Sequence, residues 1–487
     1  MRYVDYDDLH WERGEYVGDG IPRTAGGVPY NPLADCPRRY GDDEFWNTRQ
    51  ALREVLDFSV DNLVSPYADA VLDIVLARVV AATPPYVVLP QYVGAGYGSL
   101  NFGVTILGSP GSGKDAAFEA ASVLVPDIRG AAVCGAATGQ AISALFGRRE
   151  ERDGSHHTVC NNPRAILRYS EASNFRSLSN GKENNLKPVL LSVFSGQQIG
   201  DYTKNQELAL VVPAHGYRCI PVFSAQPSMM GMFEDGIGEG FQQRFLYASA
   251  YSERIAGLPI PAEAPKRPDL TLFPFDSGAL PTDWSAERMN AFYESGGFNG
   301  KDRSPEDGPH RCVVLKFPDS VRREVYAERI RINQDRGLDP RDAHGTYLRM
   351  KIAAAFCLLD YPVRHSPAVN ETDWELAGCL LRYSRDCYSE NLKEYARQKR
   401  ERRADDREEE ELAREEVDKR AQRDAEQRIV AILSESNASS GVSRGEIYRK
   451  LSKWQRNHLD DALDNLTRSG RVANRKGRKN GDWYRAT

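Results

Sequence analysis

The residues of this 487-residue chain best suited to chemistry lie in one run, Gly108-Ser109-Pro110-Gly111-Ser112-Gly113-Lys114-Asp115. It follows an apolar, strand-like stretch (102–108, FGVTILG) and opens a helical one (DAAFEAASVL). A G-x-x-x-x-G-K loop between strand and helix can curl backbone N–H groups around an anion, because glycine puts no Cβ in the way. The helix N-terminus adds partial positive charge, and Lys114 reaches the outer phosphates of a nucleotide. The cofactors expected are therefore ATP and Mg2+. One position departs from the usual pattern: the residue after the lysine, commonly a Ser or Thr on the metal, is Asp115. Either Asp115 is a variant metal ligand, the reading preferred because the other catalytic pieces are present, or its charge crowds the phosphates and weakens hydrolysis.

Those other pieces follow in order. Ala165-Ile-Leu-Arg-Tyr-Ser170-Glu171 is an apolar run ending in an acid, the arrangement that sets a carboxylate beside a γ-phosphate as general base for the attacking water. Glu171 is the expected base and Ser170 a metal ligand through water. An Asp is lost at 170 and one is gained at 115, so Asp115 is expected to substitute at the metal. A further apolar run, Cys219-Ile-Pro-Val-Phe-Ser224-Ala-Gln226, ends in polar residues that can orient the water, Gln226 first and Ser224 second. Gly240-Phe-Gln-Gln-Arg244 then sets an arginine before a strand-like run, where it can reach a neighbouring subunit's nucleotide as a finger; a surface salt bridge is the plainer use of such a residue. Arg349, in YLRMKIAAAF, is a weaker candidate for a second sensor.

Elements must hold these residues in place. Between 96 and 255, β-rich and helical runs alternate, the mark of an α/β layer. Residues 1 to about 60 read as an irregular arm, and Ser65-Pro66 as the start of a helix running to Ala82. Residues 256–310 read as a long connection, and 320–395 as helical. Nineteen of the 24 residues from Arg397 to Arg420 are charged, which suits a solvated, i/i+4-paired helix rather than a coiled coil. The domains expected are 1–90 (arm and helical region), 91–255 (P-loop ATPase core), 256–395 (connection and helical lid), 396–425 (charged linker helix) and 426–487.

Composition narrows the class. With 41% hydrophobic and 27% charged residues the chain is an ordinary globular one. Its most apolar stretch, Ala70 to Ala82, is too short and too charged to span a bilayer. The first residues lack a signal-peptide core, and the eight cysteines form no CxxC pair, so reduced thiols and a cytoplasmic location are expected. His156-His157 with Cys160 reads as a polar loop rather than a metal site.

Charge is unevenly placed. From Gly441 to Thr487 twelve Lys/Arg face five Asp/Glu, a surplus of +7, so the first 440 residues hold −12 of the total −5. Residues 426–487 read as a winged helix. A capping box at Ser443–Glu446 opens EIYRKL, and a helix from Lys453 to Ser469 brings Lys453 and Arg456 to bases and phosphates. A wing carries Arg475, Lys476, Arg478 and Lys479. A protein-docking winged helix is the alternative, and the wing's charge favours DNA.

Together SLNFGVTILGSPGSGKD, ILRYSEAS, FSAQP, GFQQRFL and YLRMKIAAAF resemble, over roughly residues 85–390, the ATPase domain of phage and mobile-element replicative helicases. These are primase-associated AAA+ P-loop proteins allied to superfamily three. The resemblance implies a ring, a homo-hexamer, with ATP at subunit interfaces and DNA in the channel. It also implies a β-hairpin around Pro213–Gly216 with Lys204, His215 and Arg218 facing that channel; the alternative for each is an ordinary surface residue. No primase motif is present, so priming would fall to a separate protein. The function expected is an ATP-dependent DNA helicase; the alternatives are an initiator or loader without unwinding, and a nucleotide-gated DNA-binding regulator.

Overall fold

The computed structural model describes residues 11–12, 15–16, 43–61, 65, 67–94, 96–126, 131–135, 137–171, 175, 185–201, 209–234, 240–251, 286–294, 312–334, 344–364, 366–436, 441–476 and 481–487. The chain divides into two compact units, Met1–Tyr395 and Ala396–Thr487. Lys204, Arg478, Lys479 and most of 256–310 lie outside the described residues.

The first unit is mixed α/β. Strands β1 (Gly103–Leu107), β2 (Ala132–Cys134), β3 (Arg164–Tyr169), β4 (Arg218–Ala225) and β5 (Phe245–Ser249) form a parallel sheet in the order β5-β1-β4-β3-β2. Every residue of β1 and β4 is buried. Their sequences are continuous apolar runs because both faces of the sheet are covered.

One face carries α1 (Ala68–Ala82), which packs on α2 (Lys114–Leu124) and crosses four of the strands. Buried along nearly its whole length, α1 is apolar all round, as a core helix must be. Its arginine finds a carbonyl, Arg78 Nε donating to Val125 O at 2.9 Å. Asp73 finds nothing: both its oxygens are buried without a hydrogen bond, and burial pushes its carboxyl well above the usual range. The opposite face is aromatic. Tyr169 stacks on Phe223 across β3 and β4 at 4.6 Å, and Phe175, Phe233, Phe245 and Tyr247 pack edge-on around them. Also in this unit are α3 (Gly139–Phe146), α4 (Leu186–Ser195), α5 (Asp319–Gln334) and α6 (Gly345–Leu359), with α6 against α1.

Three expectations about local structure need correction. Residues 43–61 are helical rather than irregular, with Phe45, Trp46, Leu52 and Val55 buried and Arg49 paired with Asp373. Helix α1 starts at Ala68, since the Ser65 hydroxyl is buried and caps nothing. His156 and His157 are exposed residues of a strand, not of a loop. Gly147–Arg152 and Ser155–Cys160 form a hairpin whose turn, Asp153-Gly154, has φ of 51° and 74°, the pair of positive values a tight right-twisted hairpin requires.

Helix α7 (Glu371–Ser434) begins in the first unit and ends in the second. Its stretch from 399 to 420 is exposed, and the i,i+4 pairs Arg397–Glu401, Glu410–Arg414 and Glu415–Lys419 lie along this part of the helix. No described helix is long and apolar enough to cross a membrane.

The second unit adds α8 (Arg444–Lys450), α9 (Lys453–Arg456) and α10 (Leu459–Arg468) to the end of α7. A three-stranded antiparallel sheet completes it: β6 (Val442–Ser443), β7 (Val472–Lys476) and β8 (Asp482–Ala486), ordered β6-β8-β7. Ile429, Ile432, Ile447, Leu451, Leu459, Leu463 and Leu466 form its core. The capping box is present: Glu446 N donates to Ser443 Oγ at 3.3 Å, and Ser443 N to Glu446 Oε2 at 3.1 Å. The helix expected over 453–469 is instead two, since Ser452 caps a single turn with Gln455 and the chain restarts after His458.

Candidate functional site

The carboxyl edge of the sheet gathers the first set of candidates. Leu107 of β1 is level with Ala225 of β4, and Phe223 of β4 with Tyr169 of β3. Gly108, Gln226 and Ser170-Glu171 therefore leave three adjacent strands at one end. Ser170, Glu171 and Gln226 are all exposed there, whereas Ser224 is buried.

The loop itself is shaped by two glycines. Gly111 and Gly113 have φ of 74° and 82°, and Gly113 is the left-handed N-cap of α2. A Cβ on Gly108 would lie 2.4 Å from Ser112 Oγ and 2.9 Å from Ala250 Cβ, so that position admits no side chain. The Ser112 hydroxyl is buried without a hydrogen-bond partner. Lys114 Nζ donates to the carbonyls of Gly108 (3.0 Å) and Ser109 (2.8 Å), folding the ammonium over the loop. Partial burial lowers its pKa, with Asp115 opposing. A helix N-terminus, glycines that leave the amides uncovered and a cation over the loop fit a phosphate chain.

The metal set fits less well. Asp115 Oδ1 accepts from Arg168 at 2.8 Å, Arg168 also reaches Glu119 at 3.2 Å, and its guanidinium sits 4.2 Å over the Phe118 ring. Asp115 is therefore in an ion pair rather than presented to a cation. No cluster of three His, Cys, Asp or Glu suited to a metal occurs among the described residues. Any Mg2+ would be held chiefly by phosphate oxygens and water, with Ser170 beside it. Arg168 was not among the sequence candidates. Its signal was its place in RAILRY, where strand alternation turns residues 164, 166 and 168 to the α2 face.

Other candidates lie at the amino edge or in the interior. Arg218 opens β4, fully buried, and donates to the carbonyls of Pro84 (2.7 Å) and Val87 (2.8 Å) and to Ser99 Oγ (3.3 Å). His215 is buried beside it in a turn at φ 56°. Neither faces a channel, which corrects the DNA-binding expectation for both. The hairpin expected around them does not form: 210–212 pairs antiparallel with 199–201, while β4 lies between β1 and β3. Arg349 is also buried, against Glu324 at 2.7 Å, the Trp374 carbonyl at 3.1 Å and the Trp374 ring at 3.9 Å. Its guanidinium ties α6 to α5 and α7 and is no sensor.

Arg244, half-buried just before β5, donates to the Gly240 carbonyl. It belongs to a cluster of basic groups with Arg218, Lys351, His215 and His344. Desolvation and the like charges around them bring both histidines down to about 4 and lower Lys351 strongly. Lys351 is held by the carbonyls of Asn101 (2.5 Å) and Phe194 (2.6 Å).

In the second unit Lys453, Arg475 and Lys476 are exposed. Arg456 folds back onto α8, donating to Tyr448 O (3.0 Å) and Leu451 O (2.9 Å), so it closes that helix's C-terminus rather than extending outward. Helix α10 exposes Asp460, Asp461 and Asp464, an acidic face that phosphates would repel. No family model matches the chain, and no curated protein is similar to it.

Proposed function

We propose that the protein is an ATP-driven DNA motor, a helicase of the phage and mobile-element AAA+ type working as a ring, with the second unit as a winged-helix DNA-binding module. The observation that carries this reading is the convergence of the Gly108–Lys114 loop, Glu171 and Gln226 at the ends of three neighbouring parallel strands. On it, loop amides and Lys114 hold the triphosphate of Mg·ATP, Glu171 takes the proton of the attacking water, and Gln226 orients that water. Arg244 lies at the opposite end of β5 from the edge bearing its own loop, about 13 Å along a five-residue strand. The nucleotide it could reach as a finger is a neighbour's, which favours an assembly with ATP between subunits. The exposed cations of β7 and the α8–α10 and β6–β8 arrangement support DNA as the partner.

Oligonucleotide-stimulated ATP hydrolysis and strand displacement, both lost in Glu171→Gln, test this reading. A protein that binds ATP without turnover, even when saturated with DNA, would overturn it. The Asp115–Arg168 pair favours a second reading, a nucleotide-gated initiator or regulator with little hydrolysis. Duplex binding that depends on ATP yet survives Glu171→Gln would select it.

A further inference from the structure

The cations of the second unit surround an aromatic residue that the DNA-binding expectation left out. In the β7–β8 ladder, the pairs Val472 with Ala486 and Asn474 with Tyr484 share one face, and Val472 and Tyr484 are buried, so that face meets the core. The alternate pairs, Ala473 with Arg485 and Arg475 with Trp483, therefore share the outer face. Trp483 is 36% exposed there. Arg475 lies directly across from it and Arg485 two residues along its own strand. Both cations are exposed and in no ion pair among the described residues.

We infer that this face, Trp483 between Arg475 and Arg485, is a stacking platform for unpaired DNA. The inference rests on reading the second unit as a DNA-binding module, and names the surface and the form of DNA it takes. Charge selects the face: α10 presents Asp460, Asp461 and Asp464, and Arg444 is held bidentate by Asp460 at 2.8 Å, so phosphates are steered from the helix to the sheet. The indole selects unpaired strands, because a duplex hides its base faces while a single strand offers them for stacking. The two arginines then neutralise the phosphates on either side.

The test measures fluorescence anisotropy of the full-length protein with a labelled oligothymidine and with a blunt duplex of equal length, at two salt concentrations. Trp483→Ala is expected to weaken oligothymidine binding about tenfold and duplex binding less than about twofold. Trp483→Phe retains most of the affinity and Trp483→Leu does not, which separates stacking from loss of fold. Arg475→Gln and Arg485→Gln each lower the salt slope by about one. Unchanged oligothymidine binding in Trp483→Ala would overturn the platform, and so would an equal loss on duplex, which would assign the face to a backbone grip. Hydrolysis at saturating DNA separates the two readings: its absence in a native protein that still binds oligothymidine through Trp483 sinks the motor and leaves the platform standing.

Discussion

The two ends of the central sheet carry similar residues put to opposite use. At the carboxyl edge Lys114, Glu171 and Gln226 are partly or fully exposed around glycines. At the amino edge Arg218 and Lys351 are buried and held by carbonyl oxygens, and His215 is buried beside them. A polar group that meets a ligand must keep some of its hydrogen-bonding capacity outside the fold, whereas one already met by backbone carbonyls closes loops into place. Exposure and partners, rather than residue type, separate the end that can meet a ligand from the structural one.

The contrast is broken most sharply at Glu171. Glu171→Gln should lower oligonucleotide-stimulated kcat by about 10²–10⁴ while ATP binding stays within about threefold, because only the transition state uses the base. Single-turnover hydrolysis beside equilibrium nucleotide binding measures both. If kcat fell less than about tenfold, the carboxyl edge would not be the reactive end.

Arg218→Met is the counterpart at the other end. It strands the acceptors at Pro84, Val87 and Ser99 and should cost about 4 kcal/mol, since removing a buried, fully hydrogen-bonded charge leaves its partners unsatisfied. The urea midpoint of the first unit reports this. A variant as stable as the native chain but slow in hydrolysis would move Arg218 to the reactive group.

Much of the carboxyl edge was legible because its signals are local. Glycine spacing and an apolar run ending in Ser170-Glu171 each occupy a handful of consecutive residues, as does the Ser443–Glu446 box of the second unit. The amino edge was not, because burial there is decided across the chain. Arg218 reaches carbonyls 131 and 134 residues away, and Lys351 reaches Asn101 over 250. Arg349 resembled a sensor only until Glu324 and Trp374, 25 residues to either side, closed around it. The hairpin at 147–160 lies between these cases: Asp153-Gly154 is a local turn signal, but His156-His157 with Cys160 reads as a polar loop.

The buried histidines give a third, smaller effect with a definite sign. His215 and His344 titrate near 4 in the folded chain, against about 6.5 unfolded. Between those values the unfolded chain binds protons that the fold refuses, so stability is full above pH 6.5 and falls as pH drops toward 4. Each histidine contributes a slope approaching about 1.4 kcal/mol per pH unit. Asp73, raised by burial, works in the opposite direction. The difference between native and His215→Asn or His344→Asn chains, from urea midpoints at pH 7.5 and 5.5, isolates each imidazole. Parallel pH profiles would show that this basic cluster opens to water.

Asp115 tests the comparison most finely, because it sits at the carboxyl edge yet is held as the structural residues are. Its partner Arg168 is 2.8 Å away and the carboxylate is 69% exposed, so the pair is worth at most about 1 kcal/mol. Asp115→Ala should therefore leave the Mg2+ concentration for half-maximal hydrolysis within about threefold and change stability little. A metal ligand would behave differently: hydrolysis would collapse at low Mg2+ and return at high Mg2+, because the lost coordination is replaced by mass action. That second outcome would mean that Arg168 gives up the carboxylate when nucleotide arrives. A single Mg2+ titration of the variant thus decides whether this acid belongs with Glu171 or with the residues that only hold the helix to the sheet.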